Sequence, residues 1–365
     1  MTLLSPLTKK RLAAFRRNRR AWYSLVAFAA IFLFAMAADW VCPCDPRAVV
    51  DAKTLESFRE RVLEHSYDIK TLRYSIDKRS GEIFDYEGPK QETVDDSDYT
   101  IRRTDRGDYV RVFWEPKTPP TAVTRELPPK DVTFPFKPCA GHPFGIDAGG
   151  RDVYARVVHG LRIALVFGLV LALSGMAFGL FVGAIEGYFG GWMDLTLQRF
   201  TEIWSALPFL YIMIFIGSTL GRSFAVLLVC YAIFNWITVS YYMRAEFLRL
   251  RGRTFVEAAR LHGYSTGRIL FVHILPNALT PLITLFPFLL MGAIGSLAAL
   301  DFLGFGLPPM TPSCGELLAE AQQFRSAWWL VLFPSAALFI VMLLTVLIGE
   351  GLRDAFDPRQ QSRLE

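Results

Sequence analysis

Long apolar runs alternate with polar stretches along the 365 residues of this chain. A bilayer core needs about 20 mostly apolar residues in a helix, so such runs predict membrane-spanning helices. Six stretches meet this requirement, some with help from flanking residues. They lie at about 22–38, 161–185, 195–219, 222–242, 278–300 and 328–349. The pattern therefore predicts an all-α, multi-pass membrane protein with six transmembrane helices.

The charged residues are distributed unevenly, which bears on orientation. Seven Lys or Arg residues and no acidic residue precede Asp39, and this cluster accounts for the net charge of +5. They are Lys9, Lys10, Arg11, Arg16, Arg17, Arg19 and Arg20. Basic residues beside a span favour the cytoplasmic side. We therefore interpret residues 1–21 as a cytoplasmic flank of the first span, in preference to a polybasic RNA-binding tail.

Six crossings from a cytoplasmic N-terminus return the C-terminal residues 351–365 to the cytoplasm. The segment 243–273 gives an independent indication, because it carries six arginines against two glutamates and is predicted to be cytoplasmic as well. One alternative concerns the start of the chain. A basic stretch, an apolar run and Ala35-Met36-Ala37 also resemble a cleavable signal peptide.

Residues 39–160 are charged, contain no span and are too long for a simple connection, so we predict a folded insert outside the cytoplasm. Residues 48–65 have helical spacing of their apolar positions, and 69–86 and 99–114 resemble hairpins. The apolar positions with helical spacing are Leu55, Phe58 and Val62. A proline-rich linker follows at 115–143. We predict a small α+β insert, with a mostly irregular loop as the alternative.

Three cysteines, Cys42, Cys44 and Cys139, fall in this predicted outer region. An oxidising compartment permits a disulfide, most simply Cys42 or Cys44 with Cys139. A metal site is less favoured, since the nearby histidines are only His65, His142 and His159. The sequence therefore predicts a disulfide and neither a metal site nor a cofactor.

A short helix of about eight residues is predicted within the cytoplasmic segment 253–264. Thr254 and Glu257 have the spacing of a capping box, and Gly263 supplies a left-handed stop. So short a helix is marginal alone in water, so something must hold it. Small side chains at Ala258 and Ala259 would let a partner surface approach closely, whereas packing against this chain's own helices is the alternative.

A second short helix is predicted from Ser265 to Leu275. Pro276 should then interrupt the helical ladder before the fifth span, because proline lacks a backbone N–H.

Few ionisable residues lie inside the predicted spans. Arg199 and Glu202 share a helix face, either lining a pore or forming a local ion pair. Asp301, at the outer end of the fifth span, begins either an outer gate or docking surface or a simple Pro/Gly turn. Gly217, Gly292 and Gly295 are positions where helices could approach closely. A proton-coupled carrier would need a chain of intramembrane acids, which the sequence does not contain.

Several motifs together resemble one family. The cytoplasmic segment has Glu257-Ala258-Ala259-x3-Gly263 followed by His273-Ile-Leu275-Pro276-Asn277, which looks like the EAA loop of ABC importer permeases. Three more stretches are similar to dipeptide and oligopeptide permeases: His142-Pro-Phe-Gly-Ile-Asp147-x3-Arg151-Asp152, Gly187-Tyr-Phe-Gly-Gly191-Trp-Met-Asp194 and Gly351-Leu-Arg353-Asp354-x2-Asp357-Pro358. The large insert and the stretch 301–308 look closest to the Yej-type microcin C and oligopeptide permeases.

The resemblance implies a type I (MetI-like) transmembrane domain over residues 161–350, in the bacterial inner membrane. It also implies four partners, namely a second homologous permease, two ATPase domains, a periplasmic binding protein and a peptide substrate. Residues 255–262, within the loop 243–277, would be the coupling helix that receives the ATPase. The chain contains no Gly-x4-Gly-Lys-Ser/Thr phosphate loop, so ATP would be bound by another subunit.

The predicted function is therefore that of a permease surrounded by membrane lipid, which is not an enzyme and does not bind nucleic acid. Two alternatives are an ion-coupled secondary transporter and a membrane-anchored sensor or enzyme acting through the insert.

Overall fold

The chain divides into two units, which are described separately. One comprises Met1–Val50 and Thr133–Glu365, and the other comprises Asp51–Val132. The computed structural model describes residues 6–50, 58–64, 67–76, 83–87, 99–103, 109–116, 121–127, 134–139 and 141–356.

The described residues of the second unit are all in β-strands. The strands are β1 (Phe58–Glu64), β2 (Tyr67–Ile76), β3 (Ile83–Glu87), β4 (Tyr99–Arg103), β5 (Tyr109–Pro116) and β6 (Thr121–Leu127). Four of them form an antiparallel sheet in the order β3-β2-β5-β4, and β1 pairs with β6. The two predicted hairpins are confirmed, as β2–β3 and β4–β5.

The prediction of a helix across 48–65 is wrong for residues 58–64, the part of its second half that the structure describes. Residues 58–64 form β1, in which Val62 lies opposite Val123 of β6. Phe58 and Val62 are four residues apart, and that interval fits both a helix face and the two-residue repeat of a strand. The interval alone could not distinguish the two, and cross-strand pairing selects the strand.

The first unit is a bundle of helices. They are α1 (Pro6–Arg17), α2 (Arg19–Met36), α3 (Ala38–Val41), α4 (Val153–Phe189), α5 (Gly191–Ser205), α6 (Phe209–Thr219), α7 (Phe224–Asn235), α8 (Ile237–Arg251), α9 (Thr254–Leu261), α10 (Thr266–Arg268), a π-helix (Ile269–Ile274), α11 (Leu275–Phe302), α12 (Cys314–Gln323) and α13 (Trp329–Phe356). The main core lies where α4, α7, α11 and α13 meet, around Phe167, Leu171, Ile294, Leu297 and Val341.

Five helical stretches among the described residues are long and apolar enough to cross a membrane. They are Arg19–Met36, Val153–Phe189, Phe224–Arg251, Thr266–Phe302 and Trp329–Phe356. The third span that the sequence predicts, 195–219, is instead the pair α5 and α6, which bend by 69° relative to each other. The break coincides with Pro208, which precedes α6 and cannot donate a hydrogen bond to a continuous helix.

A row of four glycines lets α4 pack closely against α8 and the end of α7. Gly175, Gly179, Gly183 and Gly187 are four residues apart, and a Cβ on each would lie 2.5–2.6 Å from an atom of the facing helix. Small residues at this interval allow two backbones to approach without intervening side chains. Of the glycines named from the sequence, Gly217 and Gly292 act differently, since a Cβ there would meet open space, whereas a Cβ at Gly295 would lie 3.3 Å from Met342 of α13.

The bundle has two ends, which carry different features. The basic end contains α1, α9 and the C-terminal ends of α8 and α13, and Phe15 of α1 packs there with Ile348 of α13. The loop end contains the segment 134–152, the start of α4, α12 and the start of α13. There the indole N–H of Trp329 donates to the carbonyl oxygen of Ile146 at 3.2 Å.

Candidate functional site

Helix α9 forms at the predicted place, but its N-terminus is built differently. The N-cap is Arg253, in extended conformation, and no side chain caps the helix. The N–H groups of Val256 and Glu257 donate to the carbonyl oxygen of Arg253, at 2.9 and 3.2 Å. The predicted capping box is therefore wrong. The extended residue lies one position earlier than assumed, so Thr254 is already helical and cannot act as the cap.

The C-terminus of α9 ends in the predicted left-handed stop. Gly263 has a φ of +74°. The N–H of Gly263 donates to the carbonyl of Arg260 at 2.9 Å, and the N–H of Tyr264 donates to that of Ala259 at 3.2 Å. These two bonds are the Schellman motif, which satisfies carbonyl groups that the helix end would otherwise leave unpaired. The end of α9 is therefore fixed by the backbone.

Only one narrow face of α9 packs on its own subunit. Val256 and Ala259 are buried in a cluster with Phe247 of α8 and Ile274 of the π-helix. On the other face Glu257 and Ala258 are exposed, and Leu261 is 90% exposed. One expectation needs correction, because Ala259 packs inward and only Ala258 is open to a partner. Phe255, 39% exposed, is a second apolar side chain that this short helix leaves open to solvent.

Aromatic and cationic side chains tie α9 to its neighbours. The ring of Tyr264 stacks on His273 of the π-helix, with centroids 5.4 Å apart. The guanidinium of Arg268 lies 4.4 Å from the centre of the Tyr264 ring. On the other side, Arg260 lies 5.6 Å from the ring of Tyr188, near the end of α4. Contacts of this kind each contribute of the order of 0.5–1 kcal/mol at exposed sites, and together they fix the orientation of α9.

The helix after α9 is continuous, contrary to the predicted break at Pro276. The stretch from Thr266 to Phe302 crosses as one helix of 37 residues. It widens to a π-helix over Ile269–Ile274, where the N–H of Leu275 donates to the carbonyl of Leu270. Pro276 is the second residue of α11, so its missing N–H falls where the backbone changes from π-helical to α-helical geometry. A displacement of α9 would therefore pass directly into a membrane-spanning helix.

At the loop end, five charged side chains form a network that joins α12 to the start of α4. Arg156 of α4 is fully buried and contacts Asp147, Glu316 at 2.5 Å and Glu320 at 3.0 Å. Arg151 donates to Asp147 and to Glu320, each at 2.9 Å. Burying an ion pair costs desolvation energy, and several hydrogen bonds and charged partners are needed to offset that cost.

The sequence motif contained Asp147 and Arg151, but nothing local indicated Arg156, Glu316 or Glu320. Arg156 and Glu316 are 160 positions apart along the chain. Burial raises the pKa of Glu320, and the neighbouring Arg156 and Arg151 counteract that rise. The network is therefore visible only once the helices are packed.

The three residues named for a pore or gate lie in different settings. Arg199 and Glu202 pair at 2.5 Å on α5, and 74% and 39% of their side chains are exposed. Asp301 is buried, and its carboxylate accepts hydrogen bonds from the backbone N–H of Leu307 at 2.7 Å and from the hydroxyl of Ser313 at 2.5 Å. Asp301 thus closes the loop between α11 and α12. A pore role stays a prediction for the exposed pair.

Cys42, Cys44 and Cys139 are free thiols in the structure, so the predicted disulfide is not formed. Burial and the nearby Asp152 carboxylate raise the pKa of Cys42 to about 11 and also raise the pKa values of the other two thiols. Because the thiolate is the nucleophile in disulfide chemistry, a raised pKa lowers the fraction of each thiol that can react near neutral pH. Among the described residues no group of three His, Cys, Asp or Glu side chains is arranged to hold a metal ion.

Comparison with known families accounts for the motifs. Residues 175–362 match the binding-protein-dependent transport system inner membrane component family. Residues 7–56 match the N-terminal transmembrane domain of oligopeptide transport permease C. The first match contains α9 and the glycine-lined face of α4, and the second contains α1 and α2.

Two relatives match over nearly their full length. The chain is 36% identical to the peptidoglycan transport system permease protein YejE of Agrobacterium fabrum, over 98% of this chain and 95% of that relative. It is 35% identical to the inner membrane ABC transporter permease protein YejE of Escherichia coli, over 99% of both. A dipeptide transport system permease protein DppC of Alkalihalophilus pseudofirmus is 39% identical over 62% of this chain and 74% of its own length. The chain therefore belongs to the family of binding-protein-dependent transport system inner membrane components, as a full-length relative of the YejE-type ABC transporter permeases.

Proposed function

We propose that this chain moves peptides or peptide-like compounds across the bacterial inner membrane, and that a separate ATPase drives it by docking on α9. The substrate class rests on the relatives, whose names refer to peptidoglycan and dipeptide transport. The site of energy input rests on the exposed face of α9, which carries Glu257, Ala258 and Leu261. This exposed, fixed helix is the observation that supports the proposal most directly.

The mechanism follows from how α9 is held. Its buried face rests on α8, its C-terminal stop is a Schellman motif, and Tyr264 anchors the following turn on His273. A push on Leu261 would therefore move α9 as a rigid body rather than unwind it. That motion passes to α8 and to the continuous helix 266–302, and so changes which side of the membrane has access to the pathway.

For the orientation, we propose that the basic end is cytoplasmic. The seven basic residues before the first span and the arginines of 243–273 both belong to this end, which the positive-inside rule favours. With the bent pair α5 and α6 counted as one span, six crossings of a type I ABC importer domain put both termini in the cytoplasm. The unit 51–132 and the loop end then face the periplasm.

The surface of α5 and α6 supports a second permease as partner. An ion pair at membrane depth, such as Arg199 with Glu202, faces protein or water rather than lipid. The same holds for the non-helical backbone at Ala206 to Pro208, which is exposed in this subunit. We propose that this surface meets a homologous permease and borders the pathway, while a periplasmic binding protein delivers the peptide at the loop end.

Co-purification of the ATPase with two matched variants tests the energy-input site. Leu261→Asp puts a charge on the exposed face of α9. Leu220→Asp does the same at a leucine that is 71% exposed in the loop between α6 and α7. We expect Leu261→Asp to lose the ATPase and Leu220→Asp to keep it. Equal retention in both variants would contradict docking on α9, and an ion-coupled carrier would hold no ATPase at all. Mass spectrometry of ligands bound to the cognate binding protein then tests the peptide assignment.

A further inference from the structure

We propose that α1 carries a binding site for anionic phospholipid headgroups, a property that does not depend on which substrate is transported. Four exposed arginines provide the charge, namely Arg16 and Arg17 at the end of α1 and Arg19 and Arg20 at the start of α2. None of them forms an ion pair with any residue that the structure describes. No acidic residue occurs in the first 38 positions to neutralise them.

Helix α1, which carries Arg16 and Arg17, packs against the bundle. Phe15 is buried against Ala21 of α2 and Ile348 and Ala355 of α13. Arg11 reaches across to α11, where its guanidinium donates to the hydroxyl of Thr280 at 3.3 Å, and it lies 4.7 Å from the centre of the Phe356 ring. The backbone that presents the arginines is thus held in place, so little ordering of the chain itself is needed when an anion binds.

The connection to the first span sets the level of this face in the membrane. Only Asn18 separates α1 from α2, and its side chain caps α2 by accepting from the N–H of Ala21 at 3.4 Å. Trp22 and Tyr23 lie near the start of α2 and are residue types enriched at the membrane interface. The guanidinium of Arg16 lies 5.3 Å from the centre of the Trp22 ring. The surface beside α1 is therefore the bilayer's headgroup layer.

The chemistry of the face fits phosphate groups at that level. Guanidinium groups bind phosphate oxygens through two parallel hydrogen bonds as well as through charge. Leu12, 56% exposed beside the arginines, would enter the acyl boundary, as in interfacial amphipathic helices. A lipid bound here would hold α1 in place. It would thereby also stabilise the contact of Arg11 with Thr280 of α11, near the π-helix.

Titration of the purified full-length chain in neutral detergent with fluorescent phosphatidylglycerol or phosphatidylcholine tests the site by anisotropy. We expect phosphatidylglycerol to bind more tightly. Arg16→Gln, Arg17→Gln, Arg19→Gln and Arg20→Gln combined should weaken its binding by at least about tenfold. A contribution of roughly fivefold from each arginine near an anionic surface sets an upper limit of roughly 600-fold for the four together. The four Arg→Lys substitutions keep the charge but not the paired hydrogen bonds, so they should bind phosphatidylglycerol more weakly than the unmodified chain and more tightly than the glutamine variant, which separates loss of the site from misfolding.

The control variant combines Arg47→Gln, Arg222→Gln and Arg325→Gln, three exposed arginines outside the basic end. It should bind phosphatidylglycerol like the unmodified chain. The proposal is overturned if the glutamine variant at α1 keeps its affinity, or if the unmodified chain binds both lipids equally. It is also overturned if the glutamine variant keeps the lipid and instead loses a co-purifying protein, because the face would then be a protein interface.

Discussion

The two ends of the bundle use charged and exposed residues in opposite ways. At the loop end, Arg156 is fully buried and its carboxylate partners all belong to the same chain. At the basic end, α9 leaves Glu257 and Leu261 exposed although its C-terminus is fixed by the Schellman motif. A charge network whose members pair within one subunit stabilises that subunit. A rigid helix with an unsatisfied face is a surface for another molecule, so the two ends should respond differently to mutation.

The largest expected effect is at the basic end, from Gly263→Val. At φ +74° a β-branched side chain is strained, and valine would also project from the turn on which a partner rests. A Cβ at Gly263 meets no atom of this chain within 4 Å, so the subunit should still fold and reach the membrane. We expect uptake of the substrate to be abolished at an unchanged membrane level of the protein.

Two controls sharpen this test. Gly263→Asn should retain uptake, because asparagine tolerates left-handed backbone. Gly252→Val lies at an ordinary negative φ with equally open space and should have a small effect. Normal transport by Gly263→Val would show that α9 has no coupling role.

The second prediction concerns the loop end, where a substitution should lower the stability of the protein itself. Arg156→Met removes the centre of the network and leaves Asp147 buried with only Arg151 as its charged partner. Breaking a buried pair in this way costs about 3–5 kcal/mol of stability. We expect a clearly lower melting temperature in detergent and less protein in the membrane. Arg199→Met removes an exposed pair and should change stability by less than about 1 kcal/mol. Equal melting temperatures for the two variants would contradict the contrast between the ends.

A smaller effect is expected in the helices that connect the ends. Gly183→Ala puts a methyl group 2.5 Å from the carbonyl oxygen of Ser240, so α4 and α8 must separate. Overpacking of this kind costs about 1–3 kcal/mol. Gly217→Ala meets open space within a helix and should leave the melting temperature unchanged or slightly raised. If both alanines are tolerated equally, the close contact between α4 and α8 is not what stabilises the bundle.

The smallest effect concerns the thiols of the loop end. With a pKa of about 11, Cys42 has little thiolate near neutral pH and should react slowly with iodoacetamide. Asp152→Asn keeps a hydrogen-bond acceptor for the N–H of Ala155 but removes the negative charge. Burial, the larger cause of the raised pKa, is unchanged, so alkylation should accelerate by less than about tenfold. Peptide mass spectrometry measures this, and a disulfide-linked peptide to Cys139 would show that the thiols are not kept inert.

Hydropathy predicted where the spans lie, because the bilayer imposes length and apolarity on each helix separately. It did not predict the bend at Pro208 or the π-helix, which depend on how a proline is accommodated by the surrounding helices. The stop at Gly263 was predictable, since a left-handed residue is a local requirement. The capping-box prediction failed because α9 begins one residue earlier than the motif suggests, a difference that the local sequence pattern cannot reveal.

Two further features of the structure were not predicted from the sequence, for different reasons. The contacts of Arg156 with Glu316 and Glu320 join residues about 160 positions apart, and only packing brings them together. The glycine row from 175 to 187, in contrast, is visible in the sequence as a four-residue repeat, and attention to isolated glycines missed it. The repeat is informative because helix packing has the same period.

Labelling of Leu261→Cys with a membrane-impermeant maleimide tests the central claim most directly. The variant is compared in inverted vesicles and in spheroplasts, with and without the ATPase subunit, beside Arg222→Cys as a marker of the opposite side. Residue 261 should react only in inverted vesicles and should become protected when the ATPase is present. Labelling of residue 261 in spheroplasts, or equal labelling with and without the ATPase, would contradict docking of the ATPase on α9.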